Sequence, residues 1–378
     1  MTPRAPAAIG DAVSAIDTPA MVVDLDAYQR NLDAMAAYAK AAGVALRPHA
    51  KTHKSPDVAL DQIARGAVGQ CCQKVSEAEV LVDGGVSDVL VSNEIVGPAK
   101  VARLANLAVR ARISVCADDL EQISAYSKAA CSAGVMLHVL VEMDAGAARC
   151  GVEAGEPIVR LAQQIIAAEG LKFDGLQAYH GGAQHLRTVQ ERAQAIAVAG
   201  ARAEASVDAL KAAGIDCPKV TGAGTGTFDC EATSGIWNEL QAGSYCFMDA
   251  DYARNQLAEG SNTPRFEHAL FIATTVMSAT APDRAVLDAG HKTAAVDSGL
   301  PEIWQRDGIV YQSANDEHGL LSVSSDAVAP SLGERIWLVP GHIDPTVNLH
   351  DWYVGVRGGL ANGVVEKVWP VAARGCVF

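Results

Sequence analysis

The fold of this chain is most narrowly constrained by a rhythm: short apolar runs alternate with helix-period segments between residues 26 and 242. Strand-like runs fall at residues 44–47, 67–72, 88–92, 112–117, 136–142, 173–178, 219–221 and 239–242. Between them, apolar positions recur at helical spacing over residues 26–42, 76–83, 99–108, 120–133, 157–168 and 187–213. Strands alternating with helices predict βα units around a parallel sheet, and about eight such units predict an α/β fold of the closed, TIM-like (β/α)8 barrel type.

Beyond Tyr252 the rhythm changes. Residues 269–277, 285–288, 308–312, 320–323, 335–339, 352–356 and 364–371 are apolar and almost free of helical periodicity, which predicts a C-terminal all-β domain. The expected organisation is an N-terminal segment 1–24 that joins the β-domain through residues 20–24, a barrel over 25–252, and the β-domain over 253–378. One continuous α/β domain with an irregular end is the alternative.

With 378 residues, 49% hydrophobic and 20% charged, the chain is large enough for such a core. Its formal net charge of −14 argues against a nucleic-acid partner, because phosphate backbones attract basic surfaces. No run reaches the roughly 18 apolar residues of a membrane span, and residues 1–20 carry Pro, Gly and Asp where a secretory signal needs an apolar stretch. A cytoplasmic protein engaging neither membrane nor nucleic acid is expected. The nine cysteines, Cys71 and Cys72 among them, lack framework spacing and read as reduced, mostly buried thiols.

Polar residues gather where strands end. Pro48, His49, Ala50, Lys51, Thr52, His53 and Lys54 follow the first barrel strand. The carboxyl edge of a parallel barrel collects catalytic groups, and a partly desolvated lysine there has a pKa lowered toward nucleophilic amine chemistry. Lys51 is therefore the candidate Schiff-base lysine, with a solvated basic loop as the plain alternative and Lys74 as its competitor. Arg149 follows the fifth strand, and Tyr179, His180, Gly181, Gln184 and His185 follow the sixth. The glycine-rich residues 221–227 follow the seventh, and Gly243, Ser244 and Tyr245 the eighth. Amides in a glycine-rich loop after a late barrel strand can form an anion-binding nest for a cofactor phosphate; the same pattern also makes a tight turn.

On these residues the chain resembles a known family. Residues 47–51, 71–78, 149–152, 177–181, 224–226, 239–245, 316–319 and 342–346 are similar to the fold type III, alanine racemase-like pyridoxal-phosphate enzymes, in particular the D-threonine aldolase and D-3-hydroxyaspartate aldolase branch. The resemblance implies pyridoxal 5'-phosphate joined to Lys51, with phosphate contacts from Gly224, Thr225 and Gly226 and from Gly243, Ser244 and Tyr245. It places Arg149 near the phenolic oxygen and Tyr179 beside the ring. It also implies a homodimer, because in this fold the β-domain of one subunit often completes the site of another.

His342 and Asp344 are two residues apart, so on an extended strand they would share a face and could grip one ion. Imidazole plus carboxylate suits manganese, magnesium or a similar divalent cation, while a hydrogen-bonded turn is what such a pair means without further context. Related D-serine dehydratases carry Cys in the place of Asp344, and this departure favours the aldolases. The implied reaction is retro-aldol Cα–Cβ cleavage of a small-molecule D-β-hydroxy-α-amino acid, of the D-threonine type, to glycine and an aldehyde. His185 is the candidate base on the β-hydroxyl and His180 a weaker one. A D-3-hydroxyaspartate aldolase giving glyoxylate, or a dehydratase of D-serine or 3-hydroxyaspartate, are the alternatives, followed by an amino-acid racemase and a non-catalytic pyridoxal-phosphate-binding protein. His49, His53 and His318 are expected to hydrogen-bond around the site, and Asp316 either fixes metal-bound water or is a turn carboxylate.

Overall fold

The protein is described by a computed structural model covering residues 4–260 and 263–378. After β1 (Ala20–Asp24) come β2 (Ala45–Leu46), β3 (Gln70–Cys72), β4 (Asp88–Glu94), β5 (Arg112–Ala117), β6 (Leu137–Glu142), β7 (Leu171–Gln177), β8 (Val220–Gly222) and β9 (Glu239–Leu240). Among the described residues, β2 to β9 form one parallel sheet in the order β2-β9-β8-β7-β6-β5-β4-β3. The sheet curls until its edges meet: the Cys71 amide donates to Pro48 O at 2.8 Å and the Ala50 amide to Cys71 O at 2.7 Å. Strands of two or three residues suffice because both faces are covered. Cys71, Leu90, Cys116 and Leu140, from β3 to β6, form an apolar layer, where the thiols pack as small hydrophobes. Arg47 at the end of β2 is also buried, and it is matched by Glu239 at 3.0 Å and Asp88 at 2.7 Å.

The outer layer is α1 (Leu25–Ala42), α2 (Pro56–Ile63), α3 (Val75–Asp83), α4 (Pro98–Leu107), α5 (Leu120–Ala133), α6 (Glu156–Ala167), α7 (Val189–Ala212) and α8 (Phe228–Thr233). Local chemistry explains the ends of these helices. Asp24 accepts from the amides of Asp26 and Ala27 to start α1, and Gly43 ends it at φ 71°. Helix α2 was not expected from periodicity; it starts with a proline at its first position, where the missing N–H leaves nothing unpaired.

The chain then makes α9 (Ala250–Ala253), β10 (Leu270–Ala281), β11 (Arg284–Leu287), β12 (Glu302–Ile303), β13 (Ile309–Ala314), β14 (Gly319–Val323), β15 (Arg335–Val339), α10 (Ile343–Val347), β16 (Trp352–Arg357), α11 (Gly359–Asn362) and β17 (Val364–Pro370). Strand β1 lies in this second sheet, antiparallel to β10 with Val22 opposite Phe271 and parallel to β16 with Val22 opposite Val354. One core cluster spans the junction, joining Leu25 and Tyr28 of α1, Leu46 and Leu240 of the barrel, Phe247, and Leu270, Ile272, Tyr353 and Trp369.

One local expectation fails. His342 and Asp344 do not share an extended strand: His342 is extended at φ −145°, but residues 343–347 turn into α10. Asp249 Oδ2 takes the Ile343 amide at 3.1 Å and the Thr346 hydroxyl donates to His342 O at 2.7 Å, while Pro345 in the first turn has no N–H to leave unpaired. No helix among the described residues is long and apolar enough to cross a membrane.

Candidate active site

A cavity of about 590 Å³ opens at the carboxyl ends of the barrel strands, with Lys51, Arg149, Tyr179, His185, Gly224, Thr225, Gly243 and Ser244 in its wall. Gln73, which the sequence puts beside Lys74 next to the site, is in its wall, and so are Ser92, Gln177, Gln241 and Tyr252, to which the sequence assigns no role. Their signal is weak locally, because uncharged amides and hydroxyls at strand ends are common anywhere. In the fold they link up: Gln241 Nε2 donates to Gln177 Oε1 at 2.7 Å and to Thr221 Oγ1 at 2.8 Å, and Gln73 Nε2 and Ser92 Oγ lie 2.9 and 3.2 Å from His49 Nε2.

Lys51 is half-buried, and its Nζ lies 2.5 Å from Asp344 Oδ2. This overturns the expected lowering of its pKa. Burial does pull the ammonium down, but Asp344 and then Tyr179 outweigh it and hold the pKa above the ordinary lysine value. Asp344, although buried, is held down to about 2 by Lys51 and His342. Its other oxygen, Oδ1, is buried without a hydrogen-bond partner among the described residues. His342 turns Nδ1 to Asp297 Oδ2 at 2.7 Å and Ser298 Oγ at 3.2 Å. A histidine oriented through one nitrogen by a carboxylate is the usual arrangement of a metal ligand that binds through the other.

His185 faces the cavity and is fixed from behind. Its Nδ1 lies 2.6 Å from Asp251 Oδ2, and its ring stacks on Tyr252 with centroids 5.7 Å apart. The Arg187 guanidinium pairs with the other Asp251 oxygen and donates to Asp251 O at 2.7 Å. Together, Arg187 and His185 hold the Asp251 carboxyl below its usual value against the opposing effect of burial. His180, the weaker candidate, lies outside this cavity and lines a separate depression with Gly146 and Leu186.

The Arg149 guanidinium carbon is 5.9 Å from the centroid of the Tyr179 ring, so the two residues meet in the cavity wall as a cation–π pair. Gly224 and Gly243 are glycines for steric reasons. A Cβ at Gly224 would lie 2.4 Å from Gln184 Oε1, and one at Gly243 would lie 2.7 Å from both His49 O and Thr52 Oγ1. The amides of Gly224 and Thr225 donate to no protein group among the described residues, as an anion nest requires.

Two expected phosphate contacts need correction. The Gly226 amide is already bonded to Gln184 Oε1 at 3.0 Å, and Gly226 is not in the cavity wall. Tyr245 turns its ring into the core, where its hydroxyl accepts from Gln62 Nε2 at 3.2 Å and its amide donates to Thr225 Oγ1 at 3.0 Å. It therefore braces the Thr225 loop from behind. Lys74 starts α3 outside the cavity, and Asp316 and His318 lie exposed in the β13–β14 turn away from it. His49 and His53 are buried hydrogen-bonding residues: His49 Nδ1 accepts from the Lys51 amide at 3.3 Å and His53 Nδ1 from the Ser55 amide at 3.1 Å.

Comparison with known proteins gives one consistent result. The alanine racemase N-terminal domain family matches residues 23–251, and the putative serine dehydratase domain family matches residues 269–356. The chain is 49% identical to the D-threonine aldolase of an Arthrobacter species over 98% of its own length and 96% of that protein's. It is also 49% identical to the 3-hydroxy-D-aspartate aldolase of Paracoccus denitrificans, over 98% and 95% of the two chains. The crystal structure of D-threonine aldolase from Filomicrobium marinum superposes with a TM-score of 0.96 at 52% identity, covering 99% of this chain and 100% of that one. With its barrel, its β-domain and its near full-length identity to two such carbon–carbon lyases, the chain belongs to the alanine racemase N-terminal domain family and, within it, to the D-threonine and 3-hydroxy-D-aspartate aldolases.

Proposed function

We propose that this protein is a lyase that cleaves D-β-hydroxy-α-amino acids of the D-threonine type to glycine and an aldehyde. Pyridoxal 5'-phosphate would be held by Lys51, Arg149, Tyr179, Gly224, Thr225, Gly243 and Ser244, and a divalent cation, manganese or magnesium, by His342 and Asp344. The observation that carries the reading is that Lys51, in contact with Asp344, shares one cavity with a histidine backed by a buried carboxylate.

The residues fit both groups. Unpaired amides at Gly224 and Thr225 suit a phosphate, and the buried, partnerless Asp344 Oδ1 beside a carboxylate-oriented His342 suits a cation. When bound, the pyridoxal ring supplies an electron sink for the bond broken at Cα, and the cation acidifies a hydroxyl it touches. The chain's own residues do the rest. Asp251 fixes Nδ1 of His185, so Nε2 is the nitrogen left to take the β-hydroxyl proton as Cα–Cβ breaks. Arg187 keeps Asp251 ionised, and the Tyr252 ring holds the imidazole plane. Cα takes one proton from solvent in place of Cβ, and His185 returns the hydroxyl proton to solvent, so atoms and charge balance.

The match of residues 269–356 to a putative serine dehydratase domain supports a second reading, expulsion of the β-hydroxyl to give a keto acid and ammonia. The deciding experiment is product analysis from D-threonine and D-3-hydroxyaspartate, with pyridoxal phosphate and manganese and then with chelator. Glycine plus acetaldehyde or glyoxylate, lost on chelation, is the expected result; keto acid and ammonia would install the dehydratase.

We further infer a cytoplasmic homodimer, with domains divided at 24/25 and 252/253. Asp316 and His318 are exposed and outside their own chain's cavity, which leaves them available to a partner's site. A monomeric mass by light scattering would overturn the dimer.

A further inference from the structure

A second group of ligand-type side chains lies at the same rim of the barrel, three strands along from the loops that carry Lys51. Glu94 is the last residue of β4, Asp118 directly follows β5, and Glu142 is the last residue of β6. Cys150 returns over them from the loop that the Met143–Val152 bridge closes. One ligand atom from each of Glu94, Asp118 and Cys150 lies within 4.8 Å of the others, a spacing at which a single ion can bridge them.

Acidic clusters on a surface need no ion, but this one includes buried carboxylate oxygens without a hydrogen-bond partner among the described residues. Glu142 is 6% exposed, its Oε2 has no partner among the described residues, and the same holds for Glu94 Oε1. The Glu142 carboxyl interacts with the Glu94 carboxyl on one side and the Cys116 thiol on the other, and Cys150 interacts with Glu94. Two interacting carboxyl groups need something positive between them. The cation that acts on Glu142 and Cys150 is Arg149, which also stands over Tyr179 in the cavity wall. Asp118 is already oriented, Oδ2 by the Gly151 amide at 3.0 Å and Oδ1 by Gln122 Nε2 at 2.9 Å, and each oxygen keeps a second lone pair.

We propose that Glu94, Asp118 and Cys150, with the free oxygen of Glu142 beside them, form a second divalent-cation site of the zinc type, distinct from His342 and Asp344. A thiolate with carboxylates selects a borderline ion such as zinc over magnesium. Cys150 enters as the thiolate and its proton goes to solvent. The ion ties together the ends of β4 and β5 and the loop after β6, and so fixes the segment that presents Arg149 to the cavity. Its role is to position Arg149; the chemistry stays with the residues around Lys51.

Sulfur ligation separates this site from the other, whose ligands are nitrogen and oxygen. The holoenzyme is loaded with zinc, passed through a desalting column, and measured for zinc per chain and for the zinc X-ray absorption spectrum. The expected result is a sulfur neighbour at about 2.3 Å, kept in Asp344→Ala and lost, with one zinc per chain, in Cys150→Ser and in Glu94→Gln. Zinc should also raise the melting temperature of the wild type and not that of Cys150→Ser. If Cys150→Ser does not fold, the wild-type sulfur signal and Glu94→Gln decide. Zinc bound only through nitrogen and oxygen, a sulfur signal that survives Cys150→Ser, or no zinc beyond that lost in Asp344→Ala would overturn the proposal. In each of those cases a shared proton, not an ion, separates Glu94 and Glu142. A failure of the His342 and Asp344 reading would appear differently, as a zinc count unaffected by Asp344→Ala.

Discussion

At the scale of single residues, the proposed catalysis rests on two polar contacts made across long stretches of sequence. Lys51 is paired with Asp344, 293 positions away, and Lys51 is the proposed attachment point of the cofactor. Lys51→Ala should abolish the visible absorbance of bound pyridoxal phosphate after desalting; a retained band would reject Lys51 as the attachment point. The second contact is His185 with Asp251, 66 positions apart. Asp251→Asn replaces the acceptor on Nδ1 with a group that can also donate, so the imidazole can adopt the tautomer unable to take a proton at Nε2. Turnover should fall on the order of 10²-fold or more with the cofactor band intact. An unchanged turnover number in single-turnover kinetics would remove His185 as the base.

The sequence makes individual elements legible in proportion to how local their causes are. Most barrel helices and apolar strands, though not α2 or α8, announce themselves through period and composition, and Lys51 and His185 through their place after a strand. Asp251 does not, because nothing within its own segment says that it will meet His185. Nor does α10, whose start depends on an Asp249 carboxylate 94 positions before Ile343; without that partner, the alternation at His342 and Asp344 reads as a strand. The same long-range logic hides Glu231 on α8. It is 1% exposed, its Oε1 accepts from the Thr227 hydroxyl at 2.9 Å behind the glycine-rich loop, and burial pushes its carboxyl up to about 8. The folded state therefore holds a proton that the unfolded chain releases near its ordinary value of 4.5. Such a group contributes stability that is fully present below pH 4.5 and is lost as pH rises to about 8. Glu231→Gln keeps the shape without that proton equilibrium. Its melting temperature relative to wild type should rise between pH 5 and pH 8, and a constant difference across that range would show that Glu231 is ionised in the fold.

For the whole molecule, the question is whether barrel and β-domain are two cooperative units or one. Their sheets are separate, but the chain crosses between them repeatedly. β1 sits in the second sheet while α1 packs on the barrel, the Tyr353 hydroxyl of β16 donates to His53 O at 2.6 Å beside the lysine loop, and Lys51 reaches Asp344. Phe247 lies at the centre of this junction, fully buried, with its ring 5.8 Å from Tyr28 of α1 and 5.8 Å from Tyr353 of the β-domain. Removing that ring empties a volume bounded by both halves, and closing the void would require the two sheets to shift against each other. Phe247→Ala should therefore cost about 3–5 kcal/mol and lower one shared transition, seen at the same denaturant midpoint by far-ultraviolet dichroism and by tryptophan fluorescence. The described tryptophans include Trp237 beside the barrel and Trp304, Trp337 and Trp369 in the second domain, so fluorescence weights that domain. A fluorescence midpoint that drops while the dichroism midpoint holds would mean that the β-domain unfolds alone. In that case the Lys51–Asp344 contact, made from one half to the other, would be lost before the barrel.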